Sequence, residues 1–132
     1  MVPIDRELQL VSAYCAVEAA VRGRRAEPEM RVDAAARRAL VPAMVLLPMI
    51  EIVRGGDPIV ISGTVRGDVL DLTVRATDSK ELISEAPLAD LRRRLQAGYG
   101  DACGIAMSRG DGQATIALRI PASFAATRRA VA

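Results

Sequence analysis

Two runs rich in β-branched residues, Pro58 to Arg66 and Val69 to Arg75, are separated by nothing more than Gly67-Asp68. Branching at Cβ favours extended backbone, and a glycine beside an aspartate suits a tight reversal, so this stretch predicts a β-hairpin. A second hairpin is predicted from Cys103 to Ser108 and Gln113 to Ile120, around Arg109-Gly110-Asp111-Gly112. Gly110 and Gly112 superficially suggest a phosphate loop, but they lie between two strands with no helix after them, so a hairpin turn explains them better.

The rest of the chain supplies helices to cover that sheet. From Ile4 to Val21, Leu8, Val11, Cys15 and Ala19 recur at spacings of three and four, the pattern of an amphipathic helix. Asp5 and Glu7 suit its positive end, and Gly23 is the expected stop. Arg24 to Asp33 alternates weakly and predicts an edge strand, where Pro28 needs no ladder donor. Ala34 to Arg38 reads as a short helix, and Val41 to Arg54 as an apolar helix kinked or divided at Pro48. Pro87 to Ala97 carries Leu88, Leu91 and Leu95 on one stripe and predicts a helix ending near Gly98. The expected fold is therefore α+β: a two-layer α/β sandwich whose mixed, mostly antiparallel sheet of about five strands is covered on one face by about three helices.

With 132 residues, 51% of them hydrophobic, the chain fits one domain with its own core, placed at residues 1–121. Residues 122–132, with Arg128 and Arg129, read as a small basic tail. Trp is absent and Phe124 is the one phenylalanine, so aliphatic packing must carry the core. A formal net charge of +2 is too balanced to predict nucleic-acid binding. The longest apolar stretch, Leu40 to Ile50, is broken by Pro42 and Pro48 and stops at Glu51, so no membrane span is expected. Cys15 and Cys103 have no metal or redox spacing, and the expected location is cytoplasmic. There is no histidine, which removes the commonest general base and any phospho-accepting histidine within this chain.

Three segments, in order, resemble a known family. Val2 to Gly23 is similar to an acidic "EL" helix with a "YL-IE-AR-G"-like continuation. Leu40-Val-Pro-Ala-Met-Val-Leu-Leu-Pro-Met-Ile-Glu51 is similar to "VP-LLLQPLVENA", with Pro42, Pro48 and Glu51 coinciding. Leu88 to Gly100 is similar to a "GLANVRERL---YG" helix and turn, and the final hairpin ends in Leu118-Arg119-Ile120-Pro121. Taken together, the three segments resemble the C-terminal ATP-binding domain of LytS-type sensor histidine kinases, in the gyrase, Hsp90, histidine kinase and MutL superfamily.

The resemblance implies a nucleotide site and also shows where this sequence departs from it. The magnesium-binding asparagine of the family falls at Ile52, whose side chain cannot ligate a hard cation, and the His-Gly that follows is replaced by Gly55-Gly56. The family's Asp-x-Gly is replaced by Ala76-Thr77-Asp78-Ser79, where Asp78 could serve only after a two-residue shift. The Gly-x-Gly before the next helix is replaced by Glu85-Ala86-Pro87, which removes an amide donor and adds negative charge. Lys80 to Ala86 is short for a lid over ATP. Glu51 and Asp78 are thus vestigial nucleotide-site positions, with Glu51 a solvated or capping carboxylate rather than a base. No catalytic residue, metal ligand or cofactor is expected, the alternative being ATP with magnesium.

The function expected is a pseudokinase-like, non-catalytic interaction module. Its alternative is a divergent ATP-binding domain that supports phosphorylation of a histidine elsewhere. The expected partner is a protein of a signalling pathway, or a second copy engaged through the first helix. Arg92, Arg93 and Arg94 read as a solvated helix face rather than an acidic-partner site.

Overall fold

A computed structural model describes residues 1–22, 27–53, 56–78 and 85–125. Its elements are β1 (Val2–Pro3), α1 (Ile4–Arg22), β2 (Glu29–Val32), α2 (Ala34–Arg38), β3 (Leu40–Val41), α3 (Leu46–Val53), β4 (Gly56–Arg66), β5 (Val69–Thr77), α4 (Glu85–Tyr99), β6 (Gly104–Gly110) and β7 (Gln113–Pro121). A single 3-10 turn, Gly100–Ala102, joins α4 to β6. The main sheet has five strands in the order β2-β4-β5-β7-β6, and β1 pairs with β3 in a separate two-stranded ribbon. β2 runs parallel to β4 and every other pairing is antiparallel, so the sheet is mixed and mostly antiparallel as expected.

Both hairpins form in the predicted places, because their turns supply the backbone that two-residue loops demand. Gly67 has φ 61°, while Asp111 and Gly112 have φ 53° and 75°. One positive φ in the first reversal and two in the second match primed turns, whose twist agrees with that of the strands they join. β5 shows why one face is covered: Leu70, Leu72, Val74 and Ala76 are buried while Asp71, Thr73 and Arg75 point the other way. Leu72, Leu118 and Ile116 in the centre of the inner face are within 1% of full burial.

The helices pack on that inner face. α1 directs Ile4, Leu8, Val11 and Cys15 inward, and α3 lies over β5 and β7 with Leu46, Met49, Ile50, Ile52 and Val53 buried. α2 is capped by Asp33, whose Oδ1 accepts the Ala36 N–H at 2.7 Å. Below it the chain comes close: a Cβ at Gly63 would stand 2.9 Å from the Leu72 Cδ2 atom and 3.2 Å from the Val32 Cγ1 atom.

The region predicted as a helix from Val41 to Arg54 is different. Leu40 and Val41 are extended and pair with β1, and the helix starts only at Leu46. Pro48 falls in its first turn, where a missing N–H costs nothing, so it marks a helix start rather than a kink. The intervening loop contains Met44 at φ 63°, and two charged side chains, Glu7 and Arg94, hold it. The Glu7 carboxylate, 3% exposed, accepts the N–H groups of Val45 at 2.8 Å, Met44 at 3.1 Å and Leu46 at 3.2 Å. Arg94 donates to the carbonyls of Ala43 at 2.7 Å and Met44 at 3.1 Å. Glu7 therefore complements the positive end of α3 rather than that of its own helix, and Asp5 pairs with Arg37 at 2.9 Å.

Past β7 the chain stays hydrogen-bonded. Ala122 N–H donates to Asp68, Leu40 N–H donates to Ser123, and Ala39 bridges Phe124. Gly23 as a helix stop, the first residues of the predicted edge strand, and Arg128 and Arg129 lie outside the described residues.

Candidate functional site

One end of the sandwich gathers the positions that the sequence singled out. α3 ends at Val53, and the next strand starts at Gly56, whose register partner is Thr77 at the end of β5. Thr77 pairs on its other side with Gln113, just after the β6-β7 turn. Asp78 follows, its N–H donating to the Gly112 carbonyl at 2.9 Å. α4 begins at Glu85, seven residues after Asp78, and finishes close in sequence to the start of β6, at the far end of the sheet.

Glu51 and Asp78 reach this end on different elements. Glu51 is exposed on the last turn of α3, while Ile52 beside it is 3% exposed and part of the core. Asp78 is half-buried, and its Oδ1 lies 3.3 Å from Nε of Arg109. With side chains 15% and 34% exposed, this pair sits in a partly dry environment where the guanidinium competes with any other donor for the carboxylate. Sequence reading missed Arg109, which it assigned only to a turn. Its signal was register: Arg109 faces Ala114 on β7, the neighbour of Gln113 that pairs with Thr77.

The aliphatic Ile52 side chain offers no oxygen, and among the described residues no group of three or more His, Cys, Asp or Glu could hold a metal ion. The first turn of α4 would be the phosphate-facing helix end, but Glu85 adds an acid there and Pro87 removes one of the backbone N–H groups that such a site relies on. Ser79 and the predicted short lid, up to Ser84, lie outside the described residues, as does Gly55.

The shifted titrations lie elsewhere. Burial, and then the neighbouring Cys103 thiol, raise the Tyr99 phenol above its ordinary value, at the far end of α4. A hydrogen bond to Asp71, together with its charge, raises Arg119 on the outer sheet face. The arginine run on α4 is exposed, as expected of a solvated face, yet each member has a partner: Arg92 the Ile105 carbonyl, Arg93 the Asp90 carboxylate, and Arg94 the loop before α3.

No family profile and no curated protein matches the sequence. Solved structures do match. The catalytic domain of histidine kinase ThkA aligns over 93% of this chain and 96% of that domain, with a TM-score of 0.67 at 12% identity. The Acinetobacter baumannii histidine kinase AdeS aligns over 91% of this chain and 65% of its own, with a TM-score of 0.59 at 13% identity. The histidine kinase domain of the blue-light activated kinase from Erythrobacter litoralis aligns over 90% of this chain and 61% of its own, with a TM-score of 0.57 at 14% identity. The chain therefore spans all but a few residues of the first and somewhat under two thirds of the other two. Among the described residues no helix is long and apolar enough to cross a membrane. Strand order, helix placement and these alignments together give this chain the fold of the histidine kinase catalytic domain.

Proposed function

We propose that the chain is a degenerate histidine-kinase-type ATP-binding domain, related to the LytS type. In this reading it works as a non-catalytic, cytoplasmic interaction module of two-component signalling. The observation that carries the reading is Ile52: at the position of the magnesium-ligating amide stands an aliphatic side chain packed into the core at 3% exposure. The Asp78–Arg109 pair and the Glu85-Ala86-Pro87 start of α4 add independent obstacles to adenine and phosphate recognition. Calorimetric titration with magnesium and ATP is expected to give no binding heat up to about 1 mM, that is, binding weaker than about 4 kcal/mol. Saturable, magnesium-dependent binding in the micromolar range would instead support the alternative, a divergent ATP-binding domain serving a histidine on another chain or segment. That alternative draws on Glu51 and Asp78, which α3 and β5 carry to the same end of the sheet.

The surface that would serve a partner is the outer side of α1. Leu10, Val17 and Val21 are 39%, 62% and 76% exposed, and their spacing puts them on one face with Ala13, Tyr14 and Ala20. α1 is thus apolar on two sides, one meeting the core and one meeting solvent, as a helix shared between a domain and a partner would be. Val17→Glu is expected to leave thermal stability nearly unchanged, because the site is exposed, and to abolish self-association seen by sedimentation velocity. A strict monomer that Val17→Glu leaves unaltered would count against self-association through α1.

A further inference from the structure

We propose that the cavity between the first turn of α1 and the end of α2 is a docking pocket for an acidic, aliphatic-bearing peptide segment of a protein partner. This rests on the interaction-module reading and is independent of the loss of nucleotide binding. The cavity measures about 720 Å³ and lies at the other end of α1 from Val21, lined by Arg6, Gln9, Arg37, Arg38 and Phe124 among others. That volume is within the range of built ligand sites and far larger than one phosphate or carboxylate requires.

The lining has a definite sign. Three guanidinium groups stand against the one carboxylate of Asp5. Arg37 is fixed in the wall, donating from one terminal nitrogen to Asp5 at 2.9 Å and from Nε to the Val32 carbonyl at 3.3 Å. Arg6 and Arg38 have no hydrogen bond or ion pair among the described residues, so their charge is available to a ligand. Guanidinium groups favour planar, two-oxygen acceptors, which carboxylates are.

Apart from Gln9, the remaining wall, Pro3, Phe124 and Ala125, is apolar. Phe124 is 46% exposed although its backbone is held by the bridge to Ala39, so an aromatic ring is presented on a fixed support. Arg6 precedes Leu10 by one helical turn on the same side of α1, so the exposed Leu10, Val17 and Val21 face begins one turn beyond the pocket. A free small anion would use the arginines and leave both apolar surfaces uncovered. A peptide with carboxylates at one end and aliphatic side chains along its length uses all three.

The test is fluorescence anisotropy of the full chain with a short fluorescein-labelled peptide of Glu, Leu and Ala, beside the same peptide with Gln for Glu. The expected result is saturable binding of the Glu peptide alone, weakened about tenfold or more in Arg6→Glu/Arg38→Glu and declining as salt is raised. Phe124→Ala is expected to weaken it severalfold without charge change, and circular dichroism is expected to show both variants folded. Equal binding of the Gln peptide, undiminished binding to the charge-reversed variant, or full displacement by low-millimolar inorganic phosphate would each overturn the proposal. Loss of binding through Val17→Glu, with the arginine variant unaffected, would overturn the pocket while sparing the interaction module. Magnesium-dependent ATP affinity would count against the non-catalytic reading without bearing on the pocket.

Discussion

Glu7→Ala is expected to lower the unfolding free energy by about 3 kcal/mol or more, measured by urea denaturation followed by circular dichroism. The carboxylate is 97% hidden from solvent and accepts three backbone N–H groups at the start of α3. Alanine leaves those donors without partners, removes the negative charge from the positive helix end, and opens a void between α1 and α3. For a domain of this size, whose net stability is about 5–15 kcal/mol, that is a large fraction. Glu7→Gln keeps the shape and one acceptor oxygen, so about 1–2 kcal/mol is expected. An alanine variant as stable as the parent would show that the loop before α3 is held by Arg94 and packing alone.

Leu72→Ala is expected to cost about 2–5 kcal/mol by the same measurement. Leu72 is fully buried in the middle strand, between Gly63 on β4 and Leu118 on β7. Gly63 contributes no side chain to collapse into the space, so the cavity stays open and the cost falls in the upper part of that range. Thr73→Ala, one residue along on the outer face, is expected to change stability by about 0.5 kcal/mol or less. Similar losses at the two positions would contradict the one-sided core.

The hairpins, the α1 and α4 stripes and the edge position of β2 were legible in the sequence, because each rests on interactions local in the chain. A Gly67-Asp68 reversal or a Leu88, Leu91, Leu95 spacing carries its own structural preference. What was not legible depended on long-range contacts. The pairing of β1 with β3 brings Val2 to Val41, and without it Val41 to Val45 reads as helix on composition alone. Glu7 was visible as an acid near a helix start. Its place on the same stripe as Ile4, Leu8 and Val11 was the unused signal that it is buried and must find donors. At the candidate site the departures of Ile52 and Pro87 from the resembled pattern were readable because they concern what a side chain or an imide nitrogen can do. The Asp78–Arg109 pair was not, since it depends on the register of the last hairpin against β5.

In the function proposed above, the scaffold keeps the kinase fold while its nucleotide end has lost the groups that grip a triphosphate. The most direct measurement is an amide-resolved NMR titration of the full chain with magnesium and a non-hydrolysable ATP analogue. Unperturbed signals are expected at Glu51 to Val53, Asp78, Glu85, Ala86, Leu88 and Gly110 to Gln113 up to about millimolar ligand. Saturable, magnesium-dependent shifts confined to those residues would contradict it.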